Sequence, residues 1–297
     1  MTLKVSIFGG GFGIYGYLPA ASSLGWEVAT LARYEQSIRE RPELGAYSRD
    51  ILFLESELEL IKHGSAVIFA RTPASQFEFL NTNLNDLKNT SHIFLEKPFA
   101  TSASNSLALL DTLTSNHVSF SLGYLFPYTD WFNDLEGICS GKGNRIIINW
   151  AIPISSSTWK NDENLGGGIV NSFLIHFVPV FTRLGFSLAN FEIRSKKGSI
   201  SLNSQNDNYI EINTKQVSEN FEFEIWANKN LSPVFRAQTP FGLKPIKGVL
   251  DPRKNVLEKY LAGVIKASNN TALSNQTELN VLSFLKLFKT HVDTQIS

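Results

Sequence analysis

The sequence is short of the features that would narrow a function at once. One cysteine, Cys139, stands in 297 residues, which excludes an intrachain disulfide framework and any metal site built from several thiolates. Of the five histidines, His63, His92, His117 and His291 are scattered over expected helix and strand edges, so no histidine metal cluster is expected. Net charge is lacking as well. Twenty-seven Lys and Arg balance 27 Asp and Glu, leaving no electrostatic surplus with which to hold a nucleic-acid backbone or an anionic membrane surface. No segment reaches the roughly 18 uninterrupted apolar residues of a membrane span. The opening MTLKVSIFGGG has a very short apolar run that stops at glycines, whereas a signal peptide needs about 7–15 apolar residues and a cleavage site. Together these absences imply a soluble, cytoplasmic protein with neither nucleic acid nor membrane as a partner.

What is present is a long chain with alternating patterns. Its length exceeds the usual single domain of about 100–200 residues, so two domains are expected. LKVSIF (3–8), WEVATLA (26–32), DILFL (50–54), AVIFA (66–70), HIFLE (92–96) and VSFSL (118–122) read as strands, with amphipathic segments at 56–64, 75–89 and 102–116 between them. Continuous apolar strands alternating with helices predict a parallel sheet covered on both faces. The first domain is therefore expected over 1–122 as a doubly wound α/β unit. After Gly123 the pattern changes to a helix around 128–138, a strand at 145–150, a long helix over about 167–184, and strands at 191–195, 208–213, 221–227 and 232–237. This reads as an α+β domain over 123–297 with a largely antiparallel open sheet. A helix is expected from Asp251-Pro252 to about Ala267, and a last helix over about 276–294 that packs back on the first domain.

The first strand runs directly into GGGFGIYGYLPA (9–20). Glycines at a strand-to-helix turn let the backbone approach a pyrophosphate, whose charge meets the N–H groups of the helix N-terminus. Two registers are open. Gly11, Gly13 and Gly16 fit G-x-G-x-x-G literally, while Gly9, Gly11 and Gly13 lie closer to the strand end and are preferred for phosphate contact. The second strand ends TLARYE, with Ala32 where an acid would bind a ribose 2′-hydroxyl and Arg33 next. Loss of the acid beside a guanidinium favours NADP(H) over NAD(H). A solvated Arg33, with Glu35 as a late-placed acid, is the alternative.

HIFLEKPFA places Glu96, Lys97 and Pro98 at the carboxyl end of the fifth strand, the edge at which open parallel sheets bind ligands. Pro98 biases Lys97 toward an extended turn. The glycine loop, EKPFA, LGYLFPY (122–128) and TWKNDENLGGGIVNSFLIH (158–176), in this order, resemble the glucose-fructose oxidoreductase/inositol dehydrogenase/MocA family over nearly the whole chain. The single cysteine and the scattered histidines leave no metal expected; the resemblance implies a Rossmann domain for NAD(H) or NADP(H). It implies a second domain whose sheet lines the substrate cleft and builds oligomers, a dimer or tetramer. Its cofactor contacts fall on Gly9, Gly11, Phe12, Gly13, Arg33, Thr72, Glu96 and Lys97. Proteins of this family act on sugars, inositols, nucleotide-linked sugars, dihydrodiols and biliverdin, so the resemblance does not fix the substrate.

Hydride exchange between a carbinol carbon and a nicotinamide needs a group that takes or supplies the hydroxyl proton. Lys97 and His176 are the two candidates. In the resembled family the helix after the glycine run offers an aspartate and, four residues on, a histidine or tyrosine. His176 fills the second position, but Ser172 stands at the first. On a continuous helix the two share a face, yet serine offers only a neutral hydrogen bond, which shifts proton transfer toward Lys97. Without the resemblance, His176 reads as a core histidine. Asn171, Asn149, Tyr124 and Trp159 are further substrate candidates. Core packing accounts equally well for Tyr124 and Trp159.

Overall fold

In a computed structural model of the protein, residues 2–139, 146–153, 159, 163–167, 171, 174–183, 191–196, 208–216, 219–228, 234–239, 242–245, 253–267, 283 and 286 are described. The chain divides into two compact units. One comprises Met1–Ala100, Ser104–Tyr128 and Pro252–Asn280, the other Thr101–Ala103, Thr129–Asp251 and Val281–Ser297.

The first unit is built on six parallel strands, β1 Lys4–Phe8, β2 Glu27–Leu31, β3 Ile51–Leu54, β4 Ala66–Phe69, β5 His92–Leu95 and β6 Phe120–Leu122, in the order β3-β2-β1-β4-β5-β6. Every residue of β4 and β5 is buried, as expected where helices cover both faces. The strand order reverses between β1 and β4, and the crevice at such a switch point is where doubly wound sheets take their ligands. The expected α/β Rossmann unit is thus present.

Its connecting helices are α1 Leu18–Ser23, α2 Glu35–Arg39, α3 Pro42–Gly45, α4 Glu57–His63, α5 Pro73–Thr82, α6 Leu84–Leu87 and α7 Ala103–Ser115. A capping box starts α4. The Ser56 hydroxyl accepts from the Glu59 N–H at 3.2 Å, and the Glu59 carboxylate accepts from the Ser56 N–H at 3.1 Å, so two otherwise orphaned donors are satisfied. The amphipathic segment 75–89 is two helices rather than one, broken at Asn83, whose side-chain amide donates to the Phe79 carbonyl at 2.9 Å. Local bonding of this kind competes with helix continuation.

The helix Arg253–Ala267 belongs to the first unit although it follows the second in sequence. Leu257, Tyr260, Leu261 and Val264 are buried in one cluster with Tyr17, Leu18 and Phe94. Gly16 permits this packing, because a Cβ there would lie 2.6 Å from the Phe12 ring and 3.0 Å from Leu257.

In the second unit, α8 Asp130–Cys139 precedes a sheet of β7 Ile146–Pro153, β8 Phe191–Lys196, β9 Asn208–Gln216, β10 Glu219–Asn228, β11 Val234–Thr239 and β12 Gly242–Pro245, ordered β12-β11-β7-β10-β9-β8. The β7–β10 pair is parallel and the other pairs are antiparallel. The long helix expected over 167–184 is corrected. Leu174–His176 form a 3-10 turn, and an α-helix begins afresh at Val178 and runs to Arg183. Pro179 supplies the reason, since its ring would clash with the carbonyl of Ile175 in a continuous helix while it is tolerated in a first turn. Phe177 packs against Trp131 at a centroid distance of 6.1 Å. Among the described residues no helix is long and apolar enough to cross a membrane.

Candidate active site

The glycine loop lies at the carboxyl end of β1, and its glycines have different tasks. Gly9 has φ +127°, and a Cβ on it would collide with the Ala70 carbonyl. The chain can therefore turn there only without a side chain. Gly10 faces the Tyr34 ring, 2.6 Å from where its Cβ would be, and a Cβ on Gly13 would lie 3.2 Å from Ile7 and 3.4 Å from Ala70. Gly11 differs from all three in that a Cβ on it would meet nothing within 4 Å, and it is exposed.

Ile14 and Tyr15 N–H both donate to the Gly11 carbonyl, at 3.0 and 3.1 Å, opening a π-helical turn Gly13–Tyr17 that continues into α1. No side chain caps this start. The N–H groups of Gly11, Phe12 and Gly13 precede the first intrahelical donor and so remain for an anion. A pyrophosphate fits the observed cradle, which offers backbone donors and open space at Gly11. Phe12 sits edge-on to Tyr17, with ring centroids 5.3 Å apart.

At the end of β2, Ala32 opens a 3-10 turn. The Arg33 guanidinium stacks 5.1 Å from the Tyr34 ring centroid and lies 3.5 Å from Glu57. Glu35 is engaged by Arg39, with contacts of 2.7 and 2.8 Å. Thr72 is exposed at the N-cap of α5, and its hydroxyl makes no capping bond.

The Glu96-Lys97-Pro98 turn follows β5, with a cis Lys97–Pro98 bond and a half-buried Lys97. Glu96 ties this turn to the glycine-loop helix. Its carboxylate accepts from the Tyr17 hydroxyl at 2.8 Å, and its carbonyl accepts from Gln76 Nε2 at 2.8 Å. Burial, and after it the negative Glu96, push the Tyr17 hydroxyl well above the ordinary tyrosine range, so it stays a donor. Gly123 makes room, since a Cβ there would lie 2.7 Å from the Glu96 carboxylate. Tyr17 and Gly123 lie inside the stretches 9–20 and 122–128, but sequence does not single them out because their partner Glu96 is distant in the chain, and Gln76 lies in no motif. The one cue is a glutamine on the buried face of α5.

Tyr124 is buried, its ring edge-on to Phe99 at 6.4 Å. In the second unit Asn171 is buried, while Trp159 and His176 are half-buried, His176 at the end of the 3-10 turn. Ser172 lies outside the described residues. Lys97 belongs to the first unit and His176 to the second.

No family model matches the chain, and no curated protein does. Solved structures do match it. A myo-inositol dehydrogenase from Corynebacterium glutamicum ATCC 13032 matches with a TM-score of 0.69 at 12% identity, over 99% of this chain and 98% of its own. The WlbA (WbpB) dehydrogenase from Thermus thermophilus, in complex with NAD and UDP-GlcNAcA, matches at 0.65 and 11%, over 97% of this chain and 94% of its own. The super-repressor mutant of Gal80p from Saccharomyces cerevisiae matches at 0.67 and 10%, over 99% and 96%. The chain has the fold these proteins share, that of the glucose-fructose oxidoreductase, inositol dehydrogenase and MocA proteins.

Proposed function

We propose that the protein is an NAD(P)-dependent oxidoreductase, NADP preferred, acting on a secondary alcohol or ketone of a sugar or sugar derivative. The observation that carries this reading is the glycine cradle, open at Gly11, at the carboxyl edge of a β3-β2-β1-β4-β5-β6 sheet. Lys97 follows β5 at that same edge. A bound nicotinamide would supply the hydride chemistry. Backbone N–H groups of Gly11, Phe12 and Gly13 hold the pyrophosphate, Thr72 and Glu96 line the cofactor site, and Lys97 and His176 serve the hydroxyl proton. Tyr124, Trp159, Asn171 and Ser172 are assigned to the substrate side. Ala32 and Arg33 support NADP over NAD. Two fold neighbours, a myo-inositol dehydrogenase and a dehydrogenase complexed with NAD and UDP-GlcNAcA, support a sugar-like substrate. The reading extends to a cytoplasmic homo-oligomer, a dimer or tetramer assembled through the second unit's sheet.

A second reading is a nicotinamide-binding regulatory protein without turnover. The match to the super-repressor mutant of Gal80p and serine at 172 favour it. The two separate in one experiment: bind NADPH or NADH, follow its fluorescence, and add a panel of keto-sugars and nucleotide-linked keto-sugars. Decay with any of them supports the enzyme. Saturable binding without decay supports the regulator.

A further inference from the structure

Three side chains meet beside the glycine loop at the carboxyl edge of the first sheet. Arg33 follows β2, Glu57 opens α4 after β3, and Arg71 follows β4. Arg71 is clamped, its guanidinium 5.2 Å from the centroid of Phe8 and 4.7 Å from that of Phe79, with its side chain 10% exposed. It hydrogen-bonds Glu57 Oε1. The same oxygen faces Arg33 Nη2 at 3.5 Å, beyond hydrogen-bond length, and the Arg33 side chain is 59% exposed. Glu57 is thus anchored on one side by a fixed guanidinium and touches a movable one on the other.

Arg33 also stacks on Tyr34, whose ring covers Gly10 of the loop. The exposed cation is therefore beside the anion cradle, where the adenosine half of a dinucleotide extends from its pyrophosphate. We propose that Glu57, fixed by Arg71, is the residue that sets how strongly Arg33 engages a phosphate on the 2′ position of that adenosine. This rests on the reading of the loop as a dinucleotide site. Two guanidinium groups and one carboxylate leave the trio one positive charge, so a 2′-phosphate is attracted. The carboxylate both repels that phosphate and holds Arg33 away from it. Glu57 is a positioning residue in this account, acting through Arg33.

The test uses two fragments that differ only in the 2′-phosphate, 2′,5′-ADP and 5′-AMP, titrated into the full chain by calorimetry. The native protein binds both and favours 2′,5′-ADP. Glu57→Gln raises that preference about tenfold with 5′-AMP affinity unchanged, because one repelling charge is gone. Glu57→Asp retains the native ratio. Arg33→Gln lowers the ratio about tenfold. A merely structural role for Glu57 would weaken both ligands together and leave the ratio alone, and a ratio that moves less than twofold in Glu57→Gln overturns the proposal. Should Glu57→Gln fail to fold, Arg33→Gln decides, since Arg33 is exposed: an unchanged ratio there overturns it. Failure of the native chain to bind either fragment removes the dinucleotide site itself, and this inference with it. Binding of both fragments with an unresponsive ratio removes this inference alone.

Discussion

Lys97 and His92 show how differently a titratable side chain is used in this fold. Lys97 sits half-buried after β5, where the proposed chemistry needs a proton donor or acceptor. Lys97→Met is expected to lower turnover by about 10²–10⁴-fold, the usual worth of a general acid or base, with turnover measured at saturating NAD(P)H so that any change in cofactor affinity is read separately. Full turnover in that variant would contradict the assignment. His176→Asn is expected to lose less. His92 is buried in β5, its Nδ1 2.8 Å from Ser119 Oγ, and burial lowers its pKa to about 4. It is neutral in the folded chain near neutral pH. As pH falls below about 6.5 the unfolded chain takes up a proton that the folded one refuses until about pH 4. Stability contributed by His92 is therefore complete above 6.5, falls between 6.5 and 4, and levels off below, a loss of about 3 kcal/mol. Urea midpoints at pH 7.5 and 4.5 should separate more in the native protein than in His92→Gln. Equal separation would show that His92 is not the source.

At the scale of elements, the glycine loop divides into positions that build the turn and one that leaves space. Gly9→Ala places a methyl group against the Ala70 carbonyl at a φ that L residues avoid, so a destabilisation above about 2 kcal/mol is expected. Gly11→Ala meets no neighbour. Its urea midpoint should match the native one, while dinucleotide affinity falls at least about tenfold as the methyl fills the cradle. Equal dinucleotide affinity would move the phosphate away from Gly11. Much of this level was legible in sequence: six apolar runs became six parallel strands because burial on both faces leaves nothing polar to interrupt them. The helix at 167–184 was not, because its apolar spacing masks Pro179, a backbone constraint that periodicity does not register. The tie between Tyr17 and Glu96 was equally hidden, since residues 79 positions apart in the chain meet only once the sheet is assembled.

For the whole molecule, the first unit is completed by a segment from far along the chain. The helix Arg253–Ala267 covers Tyr17 and Leu18 with Leu257, Tyr260 and Leu261, so the loop-bearing helix is held from behind by residues that follow the second unit in sequence. Leu257→Ala is expected to cost about 2–5 kcal/mol, read as a lower urea midpoint for the first unit. A neutral effect would mean that this packing is dispensable. The central claim is that the cradle at Gly9–Gly13 serves a nicotinamide dinucleotide used on a sugar-like carbonyl. The direct measurement is NADPH and NADH fluorescence titrated with the native chain and then challenged with keto-sugars. The expected result is saturable binding, tighter for NADPH, followed by oxidation with at least one sugar-like ketone. Absence of binding for both cofactors would contradict it.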